Sequence, residues 1–176
     1  MKAVFLDRDG VIIQDKGYVH KISDFKLLPG VAAAIKKLND AGFLVIIITN
    51  QSGVARGYFT EDEVRKLNQH LVLEMKKVGA HIDAVYYCPH YLHGTVEAYK
   101  KVCDCRKPRP GMILRAAEEL HIDITSSWMI GNAESDVLAG KTARCRTILL
   151  TKTRAPSKSD LLKRDLNEAV DYILEY

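Results

Sequence analysis

Near its start the chain reads Phe5-Leu6-Asp7-Arg8-Asp9-Gly10, an apolar run that leads directly into two aspartates. The run over residues 3–6 predicts a short buried β-strand with the carboxylates at its carboxyl end. A single aspartate there is explained by a turn, but two close carboxylates repel each other unless a cation lies between them. Oxygen ligands of this kind suit Mg²⁺, and in such a pair one carboxylate can act as nucleophile while the other transfers protons.

Apolar runs of similar length recur along the sequence and alternate with stretches of helical periodicity. The predicted strands span residues 3–6, 43–48, 84–87, 128–130 and 147–150. Helical patterns follow residue 31, the capping box formed by Thr60 and Glu63, and Pro110. A loop at 154–159 precedes a last amphipathic segment from residue 161. This order predicts an α/β fold, a doubly wound parallel sheet with helices on both faces, in a single domain over residues 1–176.

The carboxyl ends of the strands in such a sheet lie along one edge, where active sites form. Polar residues follow three of the predicted strands, namely Asp7 and Asp9, Thr49 and Asn50, and the segment 131–136. The sequence therefore predicts that these groups share one crevice.

Composition restricts the classes of partner. With 26 basic and 22 acidic residues the net charge is +4, which suits a small anionic ligand but is too small and dispersed for nucleic acid. The longest apolar run, residues 43–48, is far shorter than the roughly 20 residues needed to cross a bilayer. We therefore expect no nucleic-acid or membrane partner and a cytoplasmic location. We also expect a monomer, since no long apolar stripe stays exposed once the helices pack.

Three of the four cysteines lie between residues 88 and 105. Cys88-Pro89-His90 and Cys103-Asp104-Cys105 each carry two soft ligands separated by one residue, as in a tight turn around a metal. Four such donors fill a tetrahedral Zn²⁺ shell with no open position, which is typical of a structural site. His93 is an alternative ligand, and the alternative to a metal is a set of ordinary buried cysteines beside a surface histidine. Cys145 stands apart and is expected to be a core thiol.

The residues between the two ligand pairs, 91–102, include Gly94 and show no clear periodicity, so they are expected to be flexible. A zinc ion at their base would hold them as an ordered flap over the crevice. Arg106 and Lys107 follow the second pair directly, and the same ion would fix the direction of these two cations.

Three motifs together resemble the haloacid dehalogenase (HAD) superfamily: Asp7-Arg8-Asp9-Gly10, Thr49-Asn50-Gln51-Ser52-Gly53 and Cys103-Asp104-Cys105-Arg106-Lys107-Pro108. Within the superfamily they resemble the branch of D-glycero-D-manno-heptose-1,7-bisphosphate 7-phosphatases, whose sibling branch is the histidinol-phosphatases. The likeness extends from Val4 to about Leu150. It implies a magnesium-dependent phosphatase with a HAD-like Rossmannoid sheet, a zinc-binding loop inserted at residues 88–105 and no large cap domain.

The resemblance assigns the phosphatase chemistry to the two aspartates of the first motif. Asp7 would attack the phosphorus and become an aspartyl phosphate. Asp9 would protonate the departing sugar oxygen and then deprotonate the hydrolytic water. Mg²⁺ would be held by Asp7, the backbone carbonyl of Asp9 and an acid from the loop after the fourth strand.

The same resemblance gives roles to the residues that would bind substrate. Thr49 and the backbone amide of Asn50 would hold phosphoryl oxygens. Lys107 would counter the charge of the transition state, and Arg106 would recognise the substrate. The loop after the first strand resembles the sugar-holding loop of the heptose branch, in which Lys16 would meet a second phosphate, although composition alone equally allows an exposed polar loop. The expected substrate contacts are Asp15, Lys16, Gly17, Tyr18, Asn50, Gln51, Ser52, Arg106 and Lys107.

The sequence departs from the family pattern at Gly131-Asn132-Ala133-Glu134-Ser135-Asp136. The family has aspartate where Asn132 stands, and the heptose branch commonly has lysine in place of Ala133. Asparagine keeps a carbonyl oxygen for Mg²⁺ but loses a negative charge, so weaker Mg²⁺ binding is expected. Asp136 is expected to orient the metal's water ligands or to replace part of the missing charge.

The implied reaction removes the 7-phosphate of heptose 1,7-bisphosphate, a small phosphorylated sugar. Histidinol phosphate is the second candidate substrate, and the loop at residues 15–20 places it second. Asn132 also leaves open a weakened protein that binds phosphosugars without efficient turnover. A receiver-type phosphoacceptor also carries acids after its first strand, but the Cys-His pairs and the Asp-x-Asp-Gly run argue against it.

Overall fold

The computed structural model describes residues 1–153 and 156–175, which fold into strands and helices in alternation. The strands are β1 (Ala3–Leu6), β2 (Leu44–Asn50), β3 (Ala84–Cys88), β4 (Trp128–Gly131), β5 (Arg146–Leu150) and β6 (Leu161–Lys163). The α-helices are α1 (Val31–Asp40), α2 (Glu61–Lys77), α3 (Gly111–Glu119), α4 (Glu134–Ala143) and α5 (Leu166–Glu175). Arg154 and Ala155, which fall in the loop expected at 154–159, lie outside the described residues.

The strands pair in parallel in one sheet with the order β3-β2-β1-β4-β5-β6. From the central β1 the chain moves outward through β2 and β3, returns to the other side of β1, and moves outward again through β4, β5 and β6. The predicted doubly wound α/β fold is therefore confirmed. Because the direction reverses between β1 and β4, the aspartates that follow β1 lie where such sheets bind their ligands.

Side chains of β1 alternate between two hydrophobic cores. Val4 and Leu6 pack with α1, α2 and α5 on one face of the sheet, whereas Ala3 and Phe5 pack with α3 and α4 on the other. All four residues are buried, because helices cover both faces of a parallel sheet. This close packing gives Asp7, the next residue, a rigid base.

Two boundaries differ from the sequence prediction. β2 continues to Asn50, so Thr49 and Asn50 end the strand instead of following it. The segment from Leu161, expected to begin an amphipathic stretch, first forms β6 against β5, and the amphipathic helix α5 begins only at Leu166. Three residues are too few to show a period, and β6 forms because it pairs with an open sheet edge. The predicted capping box at the start of α2 is confirmed.

The loop expected to bind zinc, residues 88–105 and hereafter the zinc loop, begins at the end of β3 and leads to α3. It is held by direct contacts with the rest of the protein. The backbone amide of Val96 donates to the carbonyl of Ala55 at 3.0 Å. A single 3₁₀ turn at Glu97–Tyr99 follows, and the Tyr99 hydroxyl donates to Glu61 at 2.8 Å. Residues 91–102 are therefore ordered by hydrogen bonds to the rest of the protein as well as by any ion at their base, and their flexibility without zinc stays a prediction.

The described residues contain no cap domain, since each of their strands belongs to the one sheet. None of the helices in this part of the chain combines the length and hydropathy required to cross a membrane.

Candidate active site

A buried lysine connects the ends of β1 and β2 to the first turn of α4. The ammonium of Lys107 donates to Oδ1 of Asp7 at 2.8 Å and to the carbonyl of Ile48 at 2.9 Å, and its Nζ lies 2.7 Å from Oδ1 of Asp136. Burial alone would lower the pKa of Lys107, but the charges of Asp7 and Asp136 outweigh burial and raise that pKa above its ordinary value. Lys107 therefore places a fixed positive charge directly against Asp7.

Asn50, the last residue of β2, fixes the backbone of Lys107. Its side-chain amide donates to the Lys107 carbonyl at 3.1 Å, and its side-chain oxygen accepts the Lys107 amide at 3.0 Å. This reciprocal pair joins two segments far apart in sequence and determines where the ammonium points. The backbone amide of Asn50, to which the resemblance assigns phosphate binding, comes from the same residue.

Asp136 connects Lys107 to the start of α4. Its Oδ2 accepts the backbone amides of Asn132 and Ala133, both at 3.1 Å, while its Oδ1 faces Lys107. Burial raises the pKa of this carboxyl, and the charge of Lys107 opposes that effect. Both carboxylate oxygens are thus engaged within the protein, where they hold the ammonium and the 131–136 turn. A direct role for Asp136 beside Mg²⁺ stays a prediction.

Asp9 lies in a polar pocket formed by the ends of β1 and β2. Its Oδ2 accepts the Gln51 amide at 3.0 Å and lies 3.5 Å from the Thr49 hydroxyl. Burial raises the pKa of the Asp9 carboxyl, the Arg8 guanidinium opposes this, and the charge of Asp7 adds to it. A carboxyl whose proton affinity is raised in this way is better suited to donate and accept protons than an ordinary aspartate.

Arg8, which lies between the two aspartates in sequence, was not singled out from the sequence as a site residue. Its side chain is fully buried and donates to Asp9, to the side-chain oxygen of Asn68 at 2.9 Å, and to the Val19 carbonyl at 3.0 Å. The sequence contains one indication of this network. Asn68 is a polar residue on the apolar face of α2, between Leu67 and Leu71. Such a buried amide requires a partner.

The residues around Asp7 fit a hard divalent cation. The carboxylate of Asp7, the backbone carbonyl of Asp9 and the side-chain oxygen of Asn132 are all oxygen donors, the type that Mg²⁺ prefers. Gly10 lies against Asn132 so closely that a Cβ there would be 2.2 Å from the Asn132 Nδ2 atom, and its φ is +81°. Only glycine leaves room for the Asn132 side chain beside the two aspartates.

A cavity of about 250 Å³ opens next to Asp9. It is lined by Asp9, Asp15, Gly17, Tyr18, Val19, Asn50, Gln51 and Ser52. The structure therefore brings most of the expected substrate residues together, from the loop after β1 and from the end of β2. Two expected substrate residues, Lys16 and Arg106, lie outside this lining. Lys16 is exposed. Arg106 donates to the His90 carbonyl at 3.3 Å and lies over the Tyr91 ring.

The four residues expected to hold zinc form one cluster, with the ligand atoms of Cys88, His90, Cys103 and Cys105 all within 4.8 Å of one another. The Cys105 sulfur lies 3.0 Å from that of Cys88 and 3.3 Å from that of Cys103. The hydrogen bond between the two sulfur atoms lowers the pKa of Cys105 to about 5, while the same bond and burial raise the pKa of Cys88. Three sulfur atoms and one imidazole at this separation fit a tetrahedral soft-ligand site. Cys145 is buried in the core, as predicted.

Comparisons with known proteins agree with this geometry. A family model described as HAD-hydrolase-like matches residues 104–176. A Pasteurella multocida protein named D-glycero-beta-D-manno-heptose-1,7-bisphosphate 7-phosphatase is 44% identical over 174 residues, which cover 99% of this chain and 91% of the relative. The chain belongs to this family of HAD phosphatases.

Two further members of the heptose-bisphosphate phosphatase family show the same relationship. The Escherichia coli K12 protein of that name is 41% identical over 172 residues, covering 98% of this chain and 87% of the relative. The crystal structure of D,D-heptose 1,7-bisphosphate phosphatase from B. bronchiseptica, complexed with magnesium and phosphate, superposes with a TM-score of 0.85 at 30% identity and covers 99% of both chains. The resemblance inferred from three motifs is therefore confirmed over the full fold.

Proposed function

We propose that this protein hydrolyses the 7-phosphate of a heptose 1,7-bisphosphate through an aspartyl-phosphate intermediate. The observation that carries the proposal is the contact of 2.8 Å between Lys107 and Asp7 at the end of β1, with Asp9 beside them. Relatives that share 41–44% of the sequence over almost its whole length are named for this activity, which supports the choice of substrate.

Asp7 is the nucleophile in this proposal, because one of its oxygens is held by Lys107 and its side chain is 14% exposed, enough to meet a phosphate in the crevice. The Asp7–phosphorus bond forms as the phosphorus–oxygen bond to the sugar breaks, and Asp9 gives its proton to the departing sugar oxygen. Asp9 then takes a proton from the water that hydrolyses the aspartyl phosphate. Lys107 stabilises the charge on the phosphoryl group in both steps, together with the Thr49 hydroxyl.

We assign Mg²⁺ to the oxygen donors of Asp7, Asp9 and Asn132. When bound, the ion supplies positive charge that lets an anionic phosphate approach the carboxylates. The four ligands of the zinc loop are assigned to a structural Zn²⁺. Free thiols at such a site suit a reducing compartment, so a cytoplasmic location is proposed, and a monomer is the expected form in solution.

A substrate panel tests the proposed activity. Phosphate release from heptose 1,7-bisphosphate and from histidinol phosphate should be followed at saturating Mg²⁺. We expect kcat/KM for the bisphosphate to be higher by about 100-fold or more, because the cavity lined by Asp15 and Tyr18 offers hydrogen-bond partners to sugar hydroxyls. One phosphate should be released per molecule, with the 1-phosphate retained. Equal or faster turnover of histidinol phosphate would assign the protein to the sibling reaction.

Substituting Asn132→Asp should tighten Mg²⁺ binding. The change restores a full negative charge among the oxygen donors, and we expect the dissociation constant for Mg²⁺ to fall about tenfold. Isothermal titration with Mg²⁺ measures this directly, and phosphate release at limiting Mg²⁺ should rise in parallel. Equal affinities for both proteins would show that residue 132 does not serve the metal. Binding of the bisphosphate without turnover at any Mg²⁺ concentration would instead support a phosphosugar-binding protein.

A further inference from the structure

One side chain outside the cavity touches both loops that flank the site. Arg56 lies in the segment between β2 and α2, and its guanidinium carbon is 4.1 Å from the centre of the Tyr91 ring and 5.9 Å from that of Tyr18. Tyr91 belongs to the zinc loop, whereas Tyr18 belongs to the substrate loop, residues 15–20. Arg56 is therefore a physical connection between a predicted substrate contact and the segment expected to bind zinc.

The backbone around Arg56 strengthens the contact with the zinc loop. The carbonyl of Ala55 accepts the amides of Thr95 and Val96 at 2.8 and 3.0 Å, and the Arg56 carbonyl accepts the Thr95 hydroxyl at 3.0 Å. Gly94 approaches so closely that a Cβ would lie 2.4 Å from the Ala55 oxygen. Four groups of the zinc loop thus rest on the backbone of two consecutive residues, Ala55 and Arg56.

The substrate loop needs such support because its backbone is strained at Tyr18. This residue has φ +53°, a left-handed conformation that costs a non-glycine residue free energy. The Tyr18 ring packs edge to face on Tyr58, with ring centres 4.9 Å apart, and Arg56 lies on it from the same segment. These contacts hold Tyr18 in the conformation in which it lines the cavity.

Arg56 itself occupies an unfavourable environment. Within the described residues its Nε atom is buried and has no hydrogen-bond partner. A buried donor left unpaired is destabilising, so the stacking of the guanidinium on aromatic rings must hold the side chain in place. Arg56 is also outside the lining of the cavity, which argues against direct contact with the sugar.

We propose that Arg56 is a positioning residue that couples the substrate loop to the zinc loop and thereby sets the affinity for the sugar. The inference rests on the proposed function, since it names what holds the sugar-binding side of that site. The chemical step is carried by Asp7, Asp9 and Lys107, so it should not depend on Arg56.

The kinetic test compares Arg56→Gln, which removes the charge, and Arg56→Lys, which keeps the charge but loses the planar stacking group. KM for heptose 1,7-bisphosphate should rise about tenfold in Arg56→Gln while kcat and zinc content stay unchanged. 4-Nitrophenyl phosphate, which carries no sugar, should be hydrolysed at the wild-type rate. Arg146→Gln is the matched control, because Arg146 also lies over an aromatic ring, that of Trp128, but at the amino end of the sheet. A loss of kcat on both substrates would overturn the proposal.

Hydrogen exchange gives a readout that does not depend on the substrate. Amides of residues 15–20 and 91–102 should exchange faster together in Arg56→Gln, by about fivefold or more, and not in Arg146→Gln. Faster exchange in only one loop, or in neither, would overturn the coupling even if the bisphosphate is confirmed as substrate. If the wild type fails to hydrolyse the bisphosphate, the proposed function is wrong while the exchange data still decide the coupling. Should Arg56→Gln not fold, Arg56→Lys carries both measurements, with smaller changes expected in the same direction.

Adding Arg56→Gln to a protein that lacks both tyrosine rings tests whether Arg56 affects KM through Tyr18 and Tyr91. If Arg56 acts through the two tyrosines, adding Arg56→Gln to the Tyr18→Leu/Tyr91→Leu protein should raise KM by less than about twofold. A further tenfold rise in that background would mean that Arg56 meets the substrate itself, and the positioning role would be wrong.

Discussion

Asp7→Asn should abolish turnover, with a fall in kcat of about 10⁴-fold or more on the bisphosphate. The amide has nearly the same shape as the carboxylate but cannot form the aspartyl phosphate. The fold should survive the change, because Lys107 keeps Asp136 and the Ile48 carbonyl as partners. Phosphate release and a thermal melt of the same preparation measure both expectations.

Asp9→Asn is the matched control, since it removes the neighbouring carboxylate from the same strand end. It should also slow turnover of the bisphosphate, whose sugar oxygen needs a proton as it departs. With 4-nitrophenyl phosphate, which has a good leaving group, Asp9→Asn should still form the aspartyl phosphate, and rapid acid quenching should trap phosphate on the protein. Asp7→Asn should trap none with either substrate. Undiminished hydrolysis by Asp7→Asn would overturn the proposed chemistry.

Cys88→Ala should remove the zinc and reduce activity by about 100-fold, with a fall in the midpoint of thermal unfolding on the order of 10 °C. Cys88 ends β3, and its sulfur contacts those of Cys103 and Cys105, which precede Arg106 and Lys107 directly. Loss of the metal leaves packed thiols without a cation and frees the segment that aims Lys107 at Asp7. The two effects should therefore appear together.

Cys145→Ala is the control for this experiment. Both substitutions remove one buried thiol from the same core, but Cys145 lies outside the ligand cluster. Metal analysis should find one zinc per chain in the wild type and in Cys145→Ala, and none in Cys88→Ala. If Cys88→Ala contains no zinc but keeps wild-type activity, the zinc loop does not position Lys107.

Local patterns were sufficient for much of the fold. The apolar runs predicted five of the strands to within a few residues, and the helical periods with the capping box predicted α1 to α3. These predictions succeeded because both signals lie within a short stretch of sequence. A continuous apolar run is typical of a strand that is buried on both faces of a parallel sheet, and a capping box is typical of the start of a helix. β6 was missed, since a strand of three residues at the sheet edge is defined by pairing with β5 and not by its own side chains.

The sequence by itself determined which residues to propose for the chemistry: the two aspartates after β1, the Thr49-Asn50 pair and the four expected metal ligands. Their short spacing and the likeness to the family both identify them. Only the tertiary structure decided how these groups are held. Lys107 and Asp7 are 100 positions apart, Arg8 and Asn68 are 60 apart, and Arg56 joins the loops that follow β1 and β3. Such contacts depend on where parallel strands bring distant loops together, and no period or spacing within a short segment encodes them.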